Sequence, residues 1–286
     1  MLQDISYGSL DNQYRYHQPK NEDIAVCIRG NEVLLMKSND GILTLPSVGE
    51  IADLCSEWEF WLCEPYRYVF TMQDNRYFLW LGTSGETVPE RYTYTPVATF
   101  RDPKNKDVCF AVMTAWHLYC WYRDNRFCGR CSTKTVHDDK ERMMRCPHCG
   151  NMIFPRINPA VIIAVTNGDR LLLSKYAGRA YTRYALLAGY TEIGETIEQT
   201  VHREVMEEVG LKVKNLRYYK SQPWGVDGNL LFGFYCDVDG SDDIHIDENE
   251  LSMAGWYPRH ALPAKDDCIS LTREMIRIFE EGKEPK

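Results

Sequence analysis

The chain has 286 residues, room for two domains at the usual ~150 residues each, and its 44% hydrophobic and 26% charged content is globular, which excludes collagen-like, low-complexity and wholly disordered classes. Thirty-three basic against 41 acidic residues leave a net charge of −8, the wrong sign for coating duplex DNA, so any nucleic-acid contact is expected to be local. No stretch reaches the ~18 apolar residues of a membrane span, and the opening MLQDISYGSLDNQYRYHQPK lacks the apolar centre of a signal peptide, so the expected compartment is the cytoplasm, with no membrane partner.

Up to about Lys104, β-rich runs alternate with turn signals: IAVCI, NEVLLMK, YRYVFTM and RYFLWLG. A helix is expected from about Asp107 to Tyr122, where Phe110, Met113, His117 and Trp121 recur at three- and four-residue spacing as one stripe. It leads into two Cys-x-x-Cys pairs. The other seven of the 11 cysteines (Cys27, Cys55, Cys63, Cys109, Cys120, Cys236, Cys268) are scattered and read as ordinary reduced thiols. From Pro159, PAVIIAVT, an Asn167-Gly168-Asp169 turn and RLLLSKY predict a β-hairpin, with further strands at YALLAG, LRYYKSQPW, NLLFGFYCDV and MAGWY. Among them lies a helix from about Thr196 to Val209, opened by the capping-box pair Thr196 and Gln199 and closed by Gly210; a last helix covers about Ile269 to Glu281.

The first hairpin, NEVLLMKSNDGILTLPSVGE, echoes GDRLLLSKY and YALLAGYTEIGE in the second half. The first copy continues as IADLCSEWEF and lacks the charged helix. Two readings are open: a duplicated fold whose first copy lost its chemistry, or chance likeness between two hairpins.

Cys128-Gly-Arg-Cys131, fourteen residues, then Cys146-Pro-His-Cys149 is the spacing of a tetrahedral four-cysteine zinc site, which closes a segment too poor in apolar residues for its own core. A redox dithiol, an iron–sulfur site and disulfides are the alternatives; His148 reads as a knuckle side chain. Between Arg123 and Arg156 eight basic residues face four acidic ones, a local charge of +4. The expected role is structural, with an auxiliary contact to a substrate phosphate or RNA body open.

The densest chemical signal is Gly189 to Leu211, GYTEIGETIEQTVHREVMEEVGL. On a helix Glu204, Glu207 and Glu208 crowd one side, with Val205, Met206 and Val209 expected opposite, facing the core. Three neighbouring carboxylates repel one another unless cations sit among them, and hard oxygen ligands of that charge density suit Mg2+ or Mn2+. A lone E-x-x-E-E would read as a solvated acidic face; both glycines, Glu195 and Arg203 at fixed spacing set this one apart.

This pattern is the Nudix box, and the chain resembles Nudix hydrolases. The resemblance implies that Glu204 and Glu208 are principal metal ligands, that Glu207 is a ligand or base, that backbone near Ala188 offers a further ligand oxygen, and that Arg203 and Glu195 pair to hold loop to helix. Which carboxylate takes the water's proton is not readable from the sequence. A four-cysteine ribbon ahead of the box, Phe154-Pro155-Arg156, LLAGYTEIGET and Ser221-Gln222-Pro223-Trp224 together resemble the bacterial NADH pyrophosphatase (NudC) family, closely from Phe127 to about Tyr257. Its members hydrolyse NADH and NAD to nicotinamide mononucleotide and AMP and remove NAD caps from RNA.

By that resemblance Phe154 and Tyr190 sandwich a base ring, although either alone could equally be core. Glu141 matches a substrate-contact position, and Glu250 a metal-binding glutamate with Asp247 and Glu248 as competing acids; an ordinary surface acid is the alternative for both. Thr272 loosely matches a small-residue substrate contact. The family's S-Q-P-W-P-F-P-x-S departs here after Trp224, running Gly225, Val226, Asp227, Gly228, Asn229, which predicts a more flexible and more acidic substrate loop.

The expected chain is therefore α+β: a degenerate Nudix-like N-terminal domain (1–125), a four-cysteine zinc ribbon (126–153) and a catalytic Nudix α/β/α sandwich (154–286), a homodimer by resemblance. The leading functional reading is metal-dependent hydrolysis of the NAD(H) pyrophosphate, with NAD-capped RNA as a further substrate. The alternatives are a Nudix hydrolase of another dinucleotide, such as ADP-ribose or a dinucleoside polyphosphate, and a non-catalytic nucleotide or RNA sensor.

Overall fold

The computed structural model describes residues 1–5, 10–52, 66–81, 88, 90–100, 103–178, 182–263 and 269–286. Cys55, Cys63, Cys268 and most of IADLCSEWEF lie outside them. Two compact units result, one of residues 2–156 with Gly225–Asp227, the other of Met1 with residues 157–224 and 228–286.

In the first unit the strands are β1 (Leu10–Asp11), β2 (Ile24–Arg29), β3 (Glu32–Lys37), β4 (Leu43–Thr44), β5 (Tyr66–Met72), β6 (Asn75–Trp80) and β7 (Thr93–Pro96), with a short helix α1 (Val48–Ala52) before β5. Their order is β1-β5-β6-β2-β3-β4, with β7 also on β3. Helix α2 (Lys106–Asp124) follows. Its expected stripe is buried at Phe110, Met113 and Trp121, but so are Cys109, Ala111, Val112 and Ala115, so its first half is enclosed on several sides. His117 leaves the stripe, its Nε2 lying 2.7 Å from the Arg156 carbonyl oxygen. The ribbon belongs to this unit and adds β8 (Val136–His137), β9 (Met144–Arg145) and β10 (Met152–Ile153) as a small antiparallel sheet.

In the second unit the strands are β11 (Asn158–Asn167), β12 (Arg170–Tyr176), β13 (Leu187–Tyr190), β14 (Val213–Trp224), β15 (Asn229–Val238) and β16 (Leu251–Pro258); the helices are α3 (Ile197–Val209) and α4 (Leu271–Glu280). The sheet runs β14-β15-β11-β12-β16 with β13 on β11. Strand β11 is an unbroken apolar run because both of its faces are covered. Val161, Ile163 and Val165 pack with Val201, Val205 and Val209 of α3. Ile162 and Ala164 pack with Leu271, Met275 and Phe279 of α4. One helix on each face of a mixed sheet is the expected α/β/α sandwich.

The second unit pairs β11 with β12 antiparallel and with β15 parallel, β14 with β15 antiparallel, and β12 with β16 antiparallel. The first unit repeats each step: β2 with β3 antiparallel and with β6 parallel, β5 with β6 antiparallel, and β3 with β7 antiparallel. The parallel pair thus recurs at the same point of both sheets.

Candidate active site and zinc ribbon

The carboxylate helix is held at both ends as the sequence predicts. The Thr196 hydroxyl accepts from the Gln199 backbone N–H at 3.2 Å, the Gln199 side chain accepts from the Thr196 N–H at 2.8 Å, and Gly210 closes the helix at φ +69°. The distribution of its faces differs from the expectation. Glu204 and Glu208 are buried together with Val201, Val205 and Val209, whereas Met206 is exposed. At about 100° per residue Val205 sits only about 60° from Glu208, while Met206 is about 160° from it. The two carboxylates therefore share the buried stripe rather than oppose it, and Met206 takes the solvent side.

Arg203 is the hub of the cluster. Its Nε and Nη2 grip Glu195 at 2.6 and 2.9 Å, its Nη1 reaches Glu204 at 2.7 Å and Glu207 at 2.8 Å, and Nη2 also donates to the Tyr190 carbonyl. The sequence reading foresaw only the Glu195 partner. That grip holds the Glu195 carboxyl down at about 2, with the Glu192–Glu195 turn adding a backbone donor. Glu204 is shifted upward, chiefly by burial and then by the negative charges of Glu207 and Glu250, which places Glu250 within electrostatic range although it is exposed. Glu208, 1% exposed, accepts from the Ala188 backbone N–H at 3.2 Å. Gly189 is where the strand meets this cluster: a Cβ there would overlap the Glu204 carboxylate, so the first glycine of the box is a steric requirement.

Among the described residues, the four ribbon cysteines are the one set of three or more ligand-type side chains whose donor atoms lie within 4.8 Å of one another. The box carboxylates are not drawn to one point. One guanidinium serves three of them, so the cluster carries surplus negative charge of the kind that divalent cations neutralise.

The two ribbon knuckles are built alike. The backbone N–H groups of Arg130 and Cys149 point at Cys128 Sγ and Cys146 Sγ, both at 3.4 Å, and Ser132 and Gly150 each turn back at positive φ to donate to the Cys128 and Cys146 carbonyls. Cys128 and Cys149 Sγ are 3.6 Å apart and Cys131 and Cys146 Sγ 3.4 Å. Those spacings fit the edges of a sulfur tetrahedron around zinc, about 3.8 Å for ~2.3 Å bonds. Hydrogen bonding, first from Thr133, brings the Cys131 thiol down to about 5, toward the thiolate that a metal takes.

The remaining sequence candidates are dispersed. Phe154 and Tyr190 are both about half exposed, which removes the core alternative for each; Phe154 belongs to the first unit and Tyr190 to the second. Glu141 is exposed in a ribbon turn. Gln222 is fully buried, its amide donating to the Ile269 carbonyl and accepting from the Leu271 N–H at the start of α4. Its side chain thus positions the helix turn that carries Thr272. Trp224 is also buried and Pro223 exposed, as strand alternation requires. Gly225, expected to add slack, instead permits close packing: a Cβ would overlap the Met113 carbonyl of α2, and the Trp116 indole N–H donates to the Val226 carbonyl at 3.3 Å. Asn229 is buried and donates to the Tyr190 hydroxyl at 3.2 Å.

A sandwich with a capped carboxylate helix against its central strand, preceded by a four-cysteine ribbon, is the arrangement expected of a Nudix domain that follows a zinc ribbon. Comparison with known families agrees: residues 156–277 match the NUDIX domain and residues 123–154 the NADH pyrophosphatase zinc ribbon domain. Residues 156–277 thus carry the likeness to a NUDIX domain, over less than half of the chain. Two similar proteins, each named NAD-capped RNA hydrolase NudC, come from Pseudomonas aeruginosa (strain LESB58), 42% identical over 159 residues, and Chromobacterium violaceum, 41% identical over 167 residues. The matches cover 56% and 58% of this chain and 57% and 63% of those proteins, under two thirds of their length. Among solved structures, a NUDIX hydrolase from Nitrosomonas europaea aligns with a TM-score of 0.47 at 20% identity, over 55% of this chain and 91% of that one. Among the described residues no helix is long and apolar enough to cross a membrane.

Proposed function

We propose that this protein hydrolyses the pyrophosphate of NAD(H), giving nicotinamide mononucleotide and AMP, and removes NAD caps from RNA, acting in the cytoplasm as a homodimer. The observation that carries the reading is the intact carboxylate cluster, with Glu204 and Glu208 buried and Glu207 open to solvent, in a chain that also has the ribbon of NADH pyrophosphatases. The two NudC relatives support the choice of substrate. Glu204, Glu207 and Glu208, with Glu250 and the Ala188 carbonyl, would hold Mg2+ or Mn2+; zinc would sit on the four ribbon cysteines. Divalent cations bound there would polarise the phosphoryl oxygens of the pyrophosphate and screen its charge from the carboxylates. Arg203 keeps the loop through Tyr190 and Glu195 docked on α3, and the exposed rings of Tyr190 and Phe154 would offer flat faces to a base. Glu141, the segment from Gln222 to Asn229 and Thr272 complete the proposed substrate contacts. The recurring strand pairing supports reading residues 1–125 as a degenerate Nudix-like domain, 126–153 as the ribbon and 154–286 as the catalytic domain.

One observation favours a second reading within the same chemistry: the loop from Gly225 to Asn229, whose Gly225 and Val226 pack on α2, replaces a proline-rich family segment and would redirect the site to ADP-ribose or a dinucleoside polyphosphate. Turnover of NADH, NAD+, ADP-ribose, diadenosine polyphosphate and 5′-NAD RNA, side by side with Mg2+ or Mn2+ and with products identified by chromatography, tests both. Fastest turnover of the NAD-bearing substrates supports the first reading. Preference for another dinucleotide supports the second, and no turnover of any would turn the protein into a sensor.

A further inference from the structure

Tyr190 and Asn229 reach each other across a strand. On β11, Ala160 is registered against Tyr190 of β13 on one side and Leu231 of β15 on the other, and Asn158 against Asn229. Registered residues, and residues two apart on a strand, share a face. Tyr190, Ala160 and Asn229 therefore all lie on the face where Ile162 and Ala164 pack with α4. Neighbouring strands are about 4.8 Å apart, which leaves roughly 10 Å between β13 and β15. The long tyrosine side chain spans most of that gap because only the methyl of Ala160 stands in between. At the far side the Asn229 Nδ2 donates to the Tyr190 hydroxyl at 3.2 Å.

Tyr190 is thereby held at both ends: Arg203 Nη2 takes its carbonyl at 2.8 Å and the Asn229 amide its hydroxyl, while the residue stays 54% exposed. Folding does not call for the second bond, because water satisfies an exposed hydroxyl. For Asn229 the bond is made at a disadvantage. The residue is 8% exposed, and its amide oxygen is buried without a hydrogen-bond partner among the described residues. A half-satisfied buried amide destabilises the fold, and what it provides here is an open phenol ring fixed in one orientation. Asn229 stands where the family pattern S-Q-P-W-P-F-P-x-S ends in serine, whose hydroxyl is one atom nearer the backbone than this amide nitrogen. The clamp thus belongs to this chain's own loop, in which the stiffening prolines are gone. We infer that Asn229 is a positioning residue: through the Tyr190 hydroxyl it fixes the ring on which a nucleotide base stacks, and it does not itself touch the base. The inference rests on the proposed dinucleotide reading of the site and replaces a direct contact of Asn229 with one made through Tyr190.

A double-mutant cycle on the full-length protein, with the dinucleotide that the parent hydrolyses fastest, tests the assignment. Asn229→Ser and Tyr190→Phe are each expected to raise KM about fivefold, the effect of having to order one freed side chain on binding, with kcat within about twofold. The combined variant should raise KM no further than either alone, because both changes remove the same bond. Zinc content and Tm serve as controls for folding. In protein with isotopically labelled tyrosine rings, the Tyr190 NMR signal, identified by its absence from Tyr190→Phe, should shift in Asn229→Ser. Effects on KM that multiply would mean that Asn229 touches the substrate itself and would overturn the inference. Parent-like KM in either single variant, an unshifted Tyr190 signal, or no nucleotide binding by the parent would overturn it too. A parent that binds a dinucleotide without hydrolysing it, and whose variants show the same non-additive pattern in Kd, would uphold the clamp and sink the activity reading instead.

Discussion

Glu207 and Glu208 are adjacent in the chain and opposite in environment. Glu208 is buried against the Ala188 N–H, while the Glu207 side chain is 59% exposed and paired with Arg203. Glu207→Gln should therefore fold as the parent does and lower kcat by on the order of 100-fold or more. Parent-like turnover in this variant and in Glu208→Gln would remove the box as the reactive centre. Gly189→Ala makes a finer prediction: the added methyl meets the end of the flexible Glu204 side chain, so thermal stability should change little while divalent-metal affinity falls about tenfold, measurable by calorimetric titration. The spacing in the sequence was enough to identify the carboxylates, because helix geometry is periodic. It did not reveal the reach of Arg203 to the Tyr190 carbonyl, which depends on the Glu192–Glu195 turn folding the loop back over the helix.

Secondary-structure elements were legible where caps and periodicity agree. Helix α3 begins and ends where Thr196 and Gly210 place it, and NLLFGFYCDV is a strand over its whole length. Its faces were misjudged because two of the most polar residues, Glu204 and Glu208, are buried, a pattern that a hydrophobic stripe does not encode. In the ribbon, Arg142, one of the eight basic residues behind the local charge of +4, donates to the Tyr68 and Val69 carbonyls from a largely enclosed position. Cys128→Ser should release zinc and lower Tm; full metal content with unchanged Tm would remove the ribbon as a zinc site. Beside Arg142, burial holds His137 down to about 4. An unfolded histidine titrates near 6.5. The neutral ring is thus favoured by folding, and its contribution is complete above about pH 6.5, declines as pH falls and is exhausted near pH 4. His137→Phe should flatten that part of the pH–stability curve; an unchanged curve would mean that other groups set it.

At the scale of the molecule, the second half could be read from its motifs and the first half only from its echo. The first half has the hairpin pattern but no E-x-x-E-E run in its sequence, so its strand order became visible only through pairing, above all the parallel contact of β2 with β6. Gly225 shows the same limit: as a departure from a family pattern it suggested slack, and only the Met113 carbonyl beside it explains why a side chain is excluded. Gly225→Ala should accordingly shift the turn and raise KM for dinucleotides several-fold with kcat less affected; identical kinetic constants would separate this turn from substrate.

The parallel seam at the centre of the second sheet also governs order in time. Asn158 is registered against Asn229, and the chain between them contains the whole of α3 and the hairpin strand β14. A parallel neighbour cannot be supplied by a tight turn, so β11 stays without that edge until the intervening segment has been made and laid across the sheet. The carboxylate helix thus lies inside a long-range closure, the kind of contact expected to form late, whereas the knuckles close over a short local loop. During synthesis all four ribbon cysteines would have emerged while the carboxylates of α3 are still a string of mutually repelling acids.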